Sequence, residues 1–139
     1  MNDKLQKAKQ ILISGNYTCV LYDGTNTYTS NQRGVRPLID FLNSKDSFSD
    51  FFAADKVVGA GAAHLYVLLG VQSVWANVIS TSAKKILKTN NIQVFFEKEV
   101  PYIINRTGDG VCPIEDCVNG ICDSSLALQK IKNKLNELS

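Results

Sequence analysis

The sequence predicts an α/β fold, in which helices pack against a layered sheet. Its first third predicts a helix, a β-hairpin and a short helix, and the remainder alternates between helix and strand. Alternation of this kind after a hairpin implies at least one right-handed crossover between parallel strands. No repeat, linker or low-complexity tract interrupts the chain, so residues 1–139 are predicted to form one domain.

Composition excludes several classes of partner. The net charge is +2, from 15 Lys+Arg against 13 Asp+Glu, which is too balanced for nucleic-acid binding. The longest apolar segment, from Val57 to Val71, is shorter than the ~20 residues that cross a bilayer, so no membrane partner is expected. The polar N-terminus does not resemble a signal peptide. We therefore expect a cytoplasmic protein whose four cysteines are reduced thiols.

The first elements follow from apolar periodicity and turn residues. An amphipathic helix that begins near Leu5 is predicted to end at Gly15-Asn16. Tyr17 to Tyr22 is predicted to be a strand, because it is rich in β-branched and aromatic residues. Asp23-Gly24 predicts a tight hairpin turn, and Thr25 to Ser30 the returning strand. A short helix from Gly34 through Asn43 and a polar loop from Ser44 to Asp50 follow.

The next predicted helix, from Asp55 to Leu69, has no polar face. Such a helix is buried on all sides. Asp55 suits its N-cap and Gly70 its C-terminal end. Small residues at 59–63 would let its backbone approach a neighbouring element closely, which offsets the low helix propensity of glycine.

The remaining chain predicts two strands and three helix starts. Strands are expected at Val71–Ile79 and Ile92–Val100, with Ser80-Thr81-Ser82 capping the helix between them. Asn105 to Val111 is predicted to be a loop. Asp123 is expected to cap a final helix whose apolar stripe is Leu128, Ile131, Leu135 and Leu138.

Cys112 and Glu115 form the leading candidate site. Pro113 favours the first position of a helix, which places Cys112 at the N-cap. Free backbone N–H groups and the helix dipole would stabilise a thiolate there. Glu115 falls three residues after the cap, where its carboxylate is predicted to bond back to the N–H of Cys112. The structural alternative is a capped helix with a small buried cysteine.

Three segments resemble one small uncharacterised family of bacterial and archaeal proteins assigned to the cytidine-deaminase-like fold. They are residues 34–38 (GVRPL), 54–59 (ADKVVG) and Asn105-Arg106 followed by residues 112–115 (CPIE). The resemblance implies a three-layer fold: a mixed sheet of four to five strands with helices on both faces. Ala60 departs from the family pattern, which commonly has a second lysine there.

The resemblance also implies that the deaminase zinc ligands are missing. Zinc deaminases place a His/Cys-x-Glu at the start of one core helix and Pro-Cys-x-x-Cys at the start of the next. By element order these positions are 55–57 and 80–84 here, and neither holds histidine, glutamate or cysteine. A catalytic zinc needs about three protein ligands, so no metal and no other cofactor is expected.

Other polar residues at predicted helix starts and loops are secondary candidates. Asp55 and Lys56 could face a ligand together, although the simpler interpretation is an N-cap and an exposed lysine. Ser80, Thr81 and Ser82 could bind an anion or only cap their helix. Asn105 and Arg106 lie beside the cysteine segment, where Arg106 could clamp an anionic ligand or remain solvated.

The cysteines admit a metal interpretation, which we disfavour. Cys112, Cys117 and Cys122 recur every five residues, whereas structural zinc sites favour pairs separated by two to four residues. His64, the only histidine, lies in an apolar segment and is predicted to be a hydrogen-bonded core residue.

Two functions remain open at this point. One is a thiol-dependent enzyme for a small nucleotide-like or amide-containing molecule: Cys112 would be the nucleophile, Glu115 and Asp55 would handle protons, and Lys56 and Arg106 would stabilise charge. The other is a non-catalytic module that senses or sequesters a small molecule. Edge strands and the apolar helix also favour a homodimer. Neither the ligand nor the reaction follows from the sequence.

Overall fold

A computed structural model describes residues 1–44 and 47–138. Within these ranges the chain forms a five-stranded sheet and six helices. In chain order the elements are α1 (Asp3–Gly15), β1 (Cys19–Tyr22), β2 (Thr27–Ser30), α2 (Arg36–Ser44), β3 (Phe52–Val58), α3 (Ala60–Leu69), β4 (Ser73–Ser80), α4 (Thr81–Thr89), β5 (Gln93–Val100), α5 (Pro113–Cys117) and α6 (Ser124–Leu138).

The sheet is mixed, as predicted. Its strand order is β2-β1-β3-β4-β5. β1 pairs antiparallel with both β2 and β3, whereas β3, β4 and β5 run parallel. The two parallel connections pass through α3 and α4, as expected for crossover helices. The carboxyl ends of three strands therefore meet at one edge of the sheet.

Helices cover both faces of the sheet, which gives a three-layer arrangement. α1 packs on one face through Leu5, Ala8 and Leu12, which share an apolar cluster with Trp75. The larger core lies on the other face. There α3 contacts α2, α4, α5 and α6, so it is enclosed as its apolar sequence predicted.

The predicted helix from Asp55 is wrong at its start. Residues Phe52–Val58 form β3, and the helix begins only at Ala60, after Gly59 as N-cap. β3 lies between β1 and β4 and is buried along most of its length, so its sequence lacks the polar alternation of a half-exposed strand. A short apolar run of this kind does not distinguish a central strand from a buried helix. Asp55 is consequently a strand residue and not an N-cap.

Close approach of the small residues in α3 is confirmed. A Cβ added at Gly61 would lie 2.5 Å from Cγ2 of Ile114 in α5. The space that a side chain would fill is therefore occupied by the neighbouring helix. Glycine at this position costs helix propensity and permits the contact between α3 and α5.

Most other predicted boundaries hold within a few residues. Asn16 ends α1 in the left-handed conformation, and the Asp123 carboxylate accepts the Ser125 N–H at 2.9 Å at the start of α6.

The hairpin differs, because its loop spans four residues and Asp23 accepts the N–H groups of Thr25 and Asn26. In α6, Leu138 is exposed and Ala127 is buried instead. Residues 45 and 46 of the predicted polar loop lie outside the described residues.

None of the helices in the described ranges combines the length and the hydropathy needed to cross a membrane.

Candidate functional site

The predicted site segments converge in part at the carboxyl edge of the parallel strands. β3 ends at Val58 and β4 at Ser80, and α3 and α4 begin directly afterwards. Val58 pairs with Ile79, so these two helix starts are neighbours. In open α/β sheets, ligands bind at this edge.

Cys112 occupies the predicted N-cap of α5, with Pro113 at the first helical position. Its backbone N–H donates to the carbonyl of Ile103 at 2.8 Å, and its carbonyl accepts the N–H of Asp116 at 3.0 Å. The thiol is half-buried and makes no capping hydrogen bond to the helix. The backbone of Cys112 thus holds the segment in place, and its sulfur is not needed for that role.

Glu115 does not close back on Cys112, which corrects the predicted capping box. Its Oε2 accepts a hydrogen bond from the backbone N–H of Ala60 instead. Gly59, the N-cap of α3, has no side chain that could do this. A carboxylate at a helix N-terminus is also stabilised by the helix dipole. Glu115 therefore caps α3 from another element of the fold.

Glycine makes this cap sterically possible. A Cβ at Gly59 would lie 2.6 Å from Glu115 Oε2 and 3.0 Å from Cγ1 of Ile103. Both distances are shorter than normal van der Waals contacts. The carboxylate and the Ile103 side chain therefore fill the volume that any larger residue would need.

The second oxygen of Glu115 has no partner. Oε1 is buried, and no donor in the described part of the chain bonds to it; the whole residue is only 7% exposed. An unpaired buried acceptor costs the desolvation energy of that group, about 1–3 kcal/mol or more when it is charged. Capping of α3 accounts for Oε2 but gives Oε1 no role.

Ser80 caps α4 as predicted, with its Oγ accepting the Ala83 N–H at 3.2 Å. Thr81 donates to Oε2 of Glu99 at 2.9 Å, and Lys84 pairs with Oε1 of the same residue at 2.7 Å. These bonds hold the pKa of Glu99 below its usual range, Lys84 contributing most. Ser82 is exposed. Sequence reasoning missed Glu99, since nothing in β5 alone indicates that it meets α4.

Asn105 organises its own loop. Its Oδ1 accepts the backbone N–H groups of Gly108 and Asp109 at 2.9 and 3.2 Å, and its amide donates to the Asp109 carboxylate. A bridge between Ile104 and Val111 closes the loop. Arg106 is exposed on it and, within the described residues, makes no recorded hydrogen bond or ion pair. Ligand binding by either residue remains a prediction.

Asp55 and Lys56 do not face one ligand together. They are consecutive residues of β3, and successive strand side chains point to opposite faces. Asp55 accepts a hydrogen bond from the Tyr66 hydroxyl at 2.6 Å, whereas Lys56 donates to Oδ1 of Asn16 at 2.9 Å. Their predicted cooperation depended on a helix start that is not there.

Asp55, Tyr66 and Cys19 instead form a buried polar cluster. The Tyr66 hydroxyl lies 3.4 Å from the Cys19 sulfur. Burial raises the pKa of the Asp55 carboxyl to about 7, although hydrogen bonds from Tyr66 and from the Val57 N–H lower it in part. Burial and the charge of Asp55 also raise the pKa of the Cys19 thiol.

His64 is a hydrogen-bonded core residue, as predicted. Nδ1 lies 2.9 Å from the Ser124 hydroxyl and Nε2 3.1 Å from the carbonyl oxygen of Ile121, and burial lowers its pKa. The Cys117 thiol donates to the Ile114 carbonyl at 3.3 Å. Across residues 1–44 and 47–138, no three His, Cys, Asp or Glu side chains are grouped so that they could share a metal ion.

Two surface depressions lie away from the carboxyl edge. One lies between α4 and β5, against Lys88 and Phe95, and the other between α2 and α6, against Arg36 and Leu135. Neither is lined by a predicted site residue. Polar groups at the carboxyl edge, and neither of these depressions, therefore define the candidate site.

Fold and site together define an α/β protein with a β2-β1-β3-β4-β5 mixed sheet and a buried carboxylate at the edge where its crossover helices begin. The chain belongs to the DUF1893 family, since the model of this domain of unknown function (TM1506) matches residues 7–135.

A solved structure shares the fold. It is the crystal structure of a DUF1893 family protein (TM1506) from Thermotoga maritima, with 22% sequence identity and a TM-score of 0.87. The match covers 99% of this chain and 91% of that one. No curated protein matches the chain.

Replacing Gly59 by alanine should displace the Glu115 carboxylate from α3. The new Cβ would meet Oε2, and the Ala60 N–H would lose its acceptor. We expect a loss of about 1–3 kcal/mol in the free energy of unfolding, together with faster hydrogen exchange at Ala60. Gly110→Ala is the control, since its Cβ would lie 3.5 Å from Asn105. Equal losses for both variants would contradict the cap.

Replacing Asp55 by asparagine tests the raised pKa. Because the folded-state pKa lies above the unfolded one, protonated Asp55 favours folding at low pH, and this contribution is lost as pH rises through about 7. Urea unfolding should show that, between about pH 4 and pH 8, the free energy of unfolding of Asp55→Asn rises relative to that of the wild type by on the order of 2–4 kcal/mol. A difference that does not change with pH would refute this.

Proposed function

We propose that this protein binds a small molecule at the carboxyl edge of its parallel strands, in a cytidine-deaminase-like fold that lacks the deaminase zinc ligands. The observation that carries the proposal is the Glu115 carboxylate, which is buried at the start of α3 with one oxygen unpaired. Retaining such a group costs stability, which is typical of a functional site.

Strand order and the two crossover helices support the deaminase-like part of the proposal. With the helix start corrected, the first ligand position of a deaminase corresponds to residues 59–61 and the second to 80–84. Neither holds histidine, cysteine or glutamate, so the residues present do not fit a catalytic zinc.

Glu115 supplies the missing carboxylate from a different element. In zinc deaminases, the glutamate at this helix start acts as general acid and base. Here α5 brings a carboxylate to the corresponding helix end, bonded to the N–H of Ala60. This arrangement supports an acid beside the proposed ligand, although the sequence motif is absent.

Ligand mapping by NMR tests this proposal. A panel of nucleosides, nucleobases and small amides is titrated into the protein, and the backbone amide signals are followed. We expect a ligand that shifts the signals of Ala60, Ala83 and Cys112 together, because these amides surround the two helix starts and the cysteine segment. Binding that perturbs only the depression between α2 and α6 would refute a site at the carboxyl edge.

A thiol-dependent enzyme is the second candidate function. It is favoured by the half-buried Cys112 sulfur, which makes no capping bond and lies on the same short helix as Glu115. In this version Cys112 is the nucleophile and Glu115 transfers protons. Arg106 would stabilise charge. Asp55 and Lys56 contribute less than their sequence positions suggested, because they point to opposite faces of the sheet.

Cysteine alkylation tests this candidate. Cys112 should react with iodoacetamide at neutral pH faster than Cys19, because Cys19 is buried and its thiol pKa is raised. Peptide mass spectrometry measures the rates, and Cys112→Ser shows which signal belongs to this residue. An inert Cys112 in the folded protein would remove the thiol mechanism and leave the binding function.

A further inference from the structure

The unpaired oxygen of Glu115 restricts the chemistry of the ligand. Oε2 is engaged with the Ala60 N–H, so Oε1 is the atom left for another group. A carboxylate oxygen accepts hydrogen bonds and cannot donate them when it is ionised. The group that pairs with Oε1 of the ionised carboxylate must therefore bring a donor.

The charge balance at Glu115 also favours a ligand that brings a donor. None of the ion pairs recorded for the described residues includes Glu115. The positive end of α3 compensates only about half a charge. A ligand that carries a carboxylate or phosphate to this point would place like charges side by side, whereas a cationic or neutral N–H group would relieve the imbalance.

Two isoleucine side chains lie near this part of the site. Ile103 lies beside the carboxylate, against Gly59, and Ile114 precedes Glu115 and packs against Gly61. Such a lining suits a flat or aliphatic group that carries a few polar atoms. Hydrogen bonds to charged groups are stronger than those between neutral groups.

We propose that the ligand presents an N–H group of an amidine, amine or primary amide to Glu115 Oε1, with its carbon skeleton against Ile103. This inference rests on the proposed function and names the class of ligand for that site. It excludes ligands whose group at this position is only an acceptor, such as carboxylates.

A ligand reaches Oε1 only after side chains around Glu115 move locally. Oε1 is covered, and Ile103 is half-buried beside the carboxylate. The segment that carries Ile103 is tied to Cys112 by one backbone hydrogen bond and closed by the Ile104–Val111 bridge. The backbone of this segment is therefore held in place beside Glu115.

Three probes that share one ring separate the possibilities: benzamidine, benzamide and benzoate. Each is titrated into the wild-type protein while the amide signals of Ala60 and Cys112 are followed. We expect benzamidine to bind most tightly, benzamide more weakly, and benzoate not to shift these signals. Benzoate binding at this edge at least as tightly as benzamidine would overturn the inference and leave the proposed function standing.

Glu115→Gln provides the decisive variant. The glutamine side-chain oxygen can still accept the Ala60 N–H, and its NH₂ group then places a donor where Oε1 stood. We expect benzamidine binding to weaken by about tenfold or more and benzoate binding to appear. Glu97→Gln is the control, since Glu97 is exposed and pairs only with Lys9. Unchanged benzamidine affinity in Glu115→Gln would overturn the inference.

Ile103→Ala provides a second test that leaves Glu115 intact. It removes the apolar contact proposed for the carbon skeleton, so benzamidine should bind this variant more weakly than the wild type and still more tightly than benzoate. Benzoate binding at least as tightly as benzamidine in this variant would contradict the assignment of Oε1 as the acceptor. If no probe shifts the Ala60 and Cys112 amide signals in the wild type or in Ile103→Ala, the inference fails. Nucleosides that still shift these signals would then support the proposed function alone.

Discussion

The hydrogen bond from the Ala60 N–H to the Glu115 carboxylate is the interaction on which the candidate site depends. It joins the start of the central buried helix to a five-residue helix late in the chain. An isolated helix of that length is unstable in water, so α5 needs such tertiary contacts. The same bond fixes the second carboxylate oxygen where no donor among the described residues bonds to it. One contact thus serves both the fold and the proposed ligand.

Small residues make this contact possible. Gly59 and Gly61 face Glu115 and Ile114, at distances that leave no room for a Cβ. Glycine lowers the helix propensity of α3, and burial of α3 against four other helices offsets this cost. Close approach of the backbone at these two positions thus places the Glu115 carboxylate at the start of α3.

The two polar groups on β3 and α5 have different physical roles. Asp55 is paired with Tyr66 in the core, and burial raises the pKa of its carboxyl. Glu115 stands at a helix end near the sheet edge, and one of its oxygens has no partner among the described residues. We therefore expect Asp55 to couple stability to pH, whereas Glu115 is the group proposed to bind the ligand.

Sequence by itself determined the α/β class, most element boundaries, the helix start at Cys112-Pro113, the Ser80 cap and the buried histidine. These depend on local signals: apolar period, turn residues and capping side chains. Tertiary structure alone decided that Phe52–Val58 is a strand, since a run buried on both faces has no diagnostic period. It also decided the partner of Glu115. A carboxylate three residues after an N-cap can bond locally, but Ile103 already holds the Cys112 N–H, and packing against α3 offers the free Ala60 N–H instead.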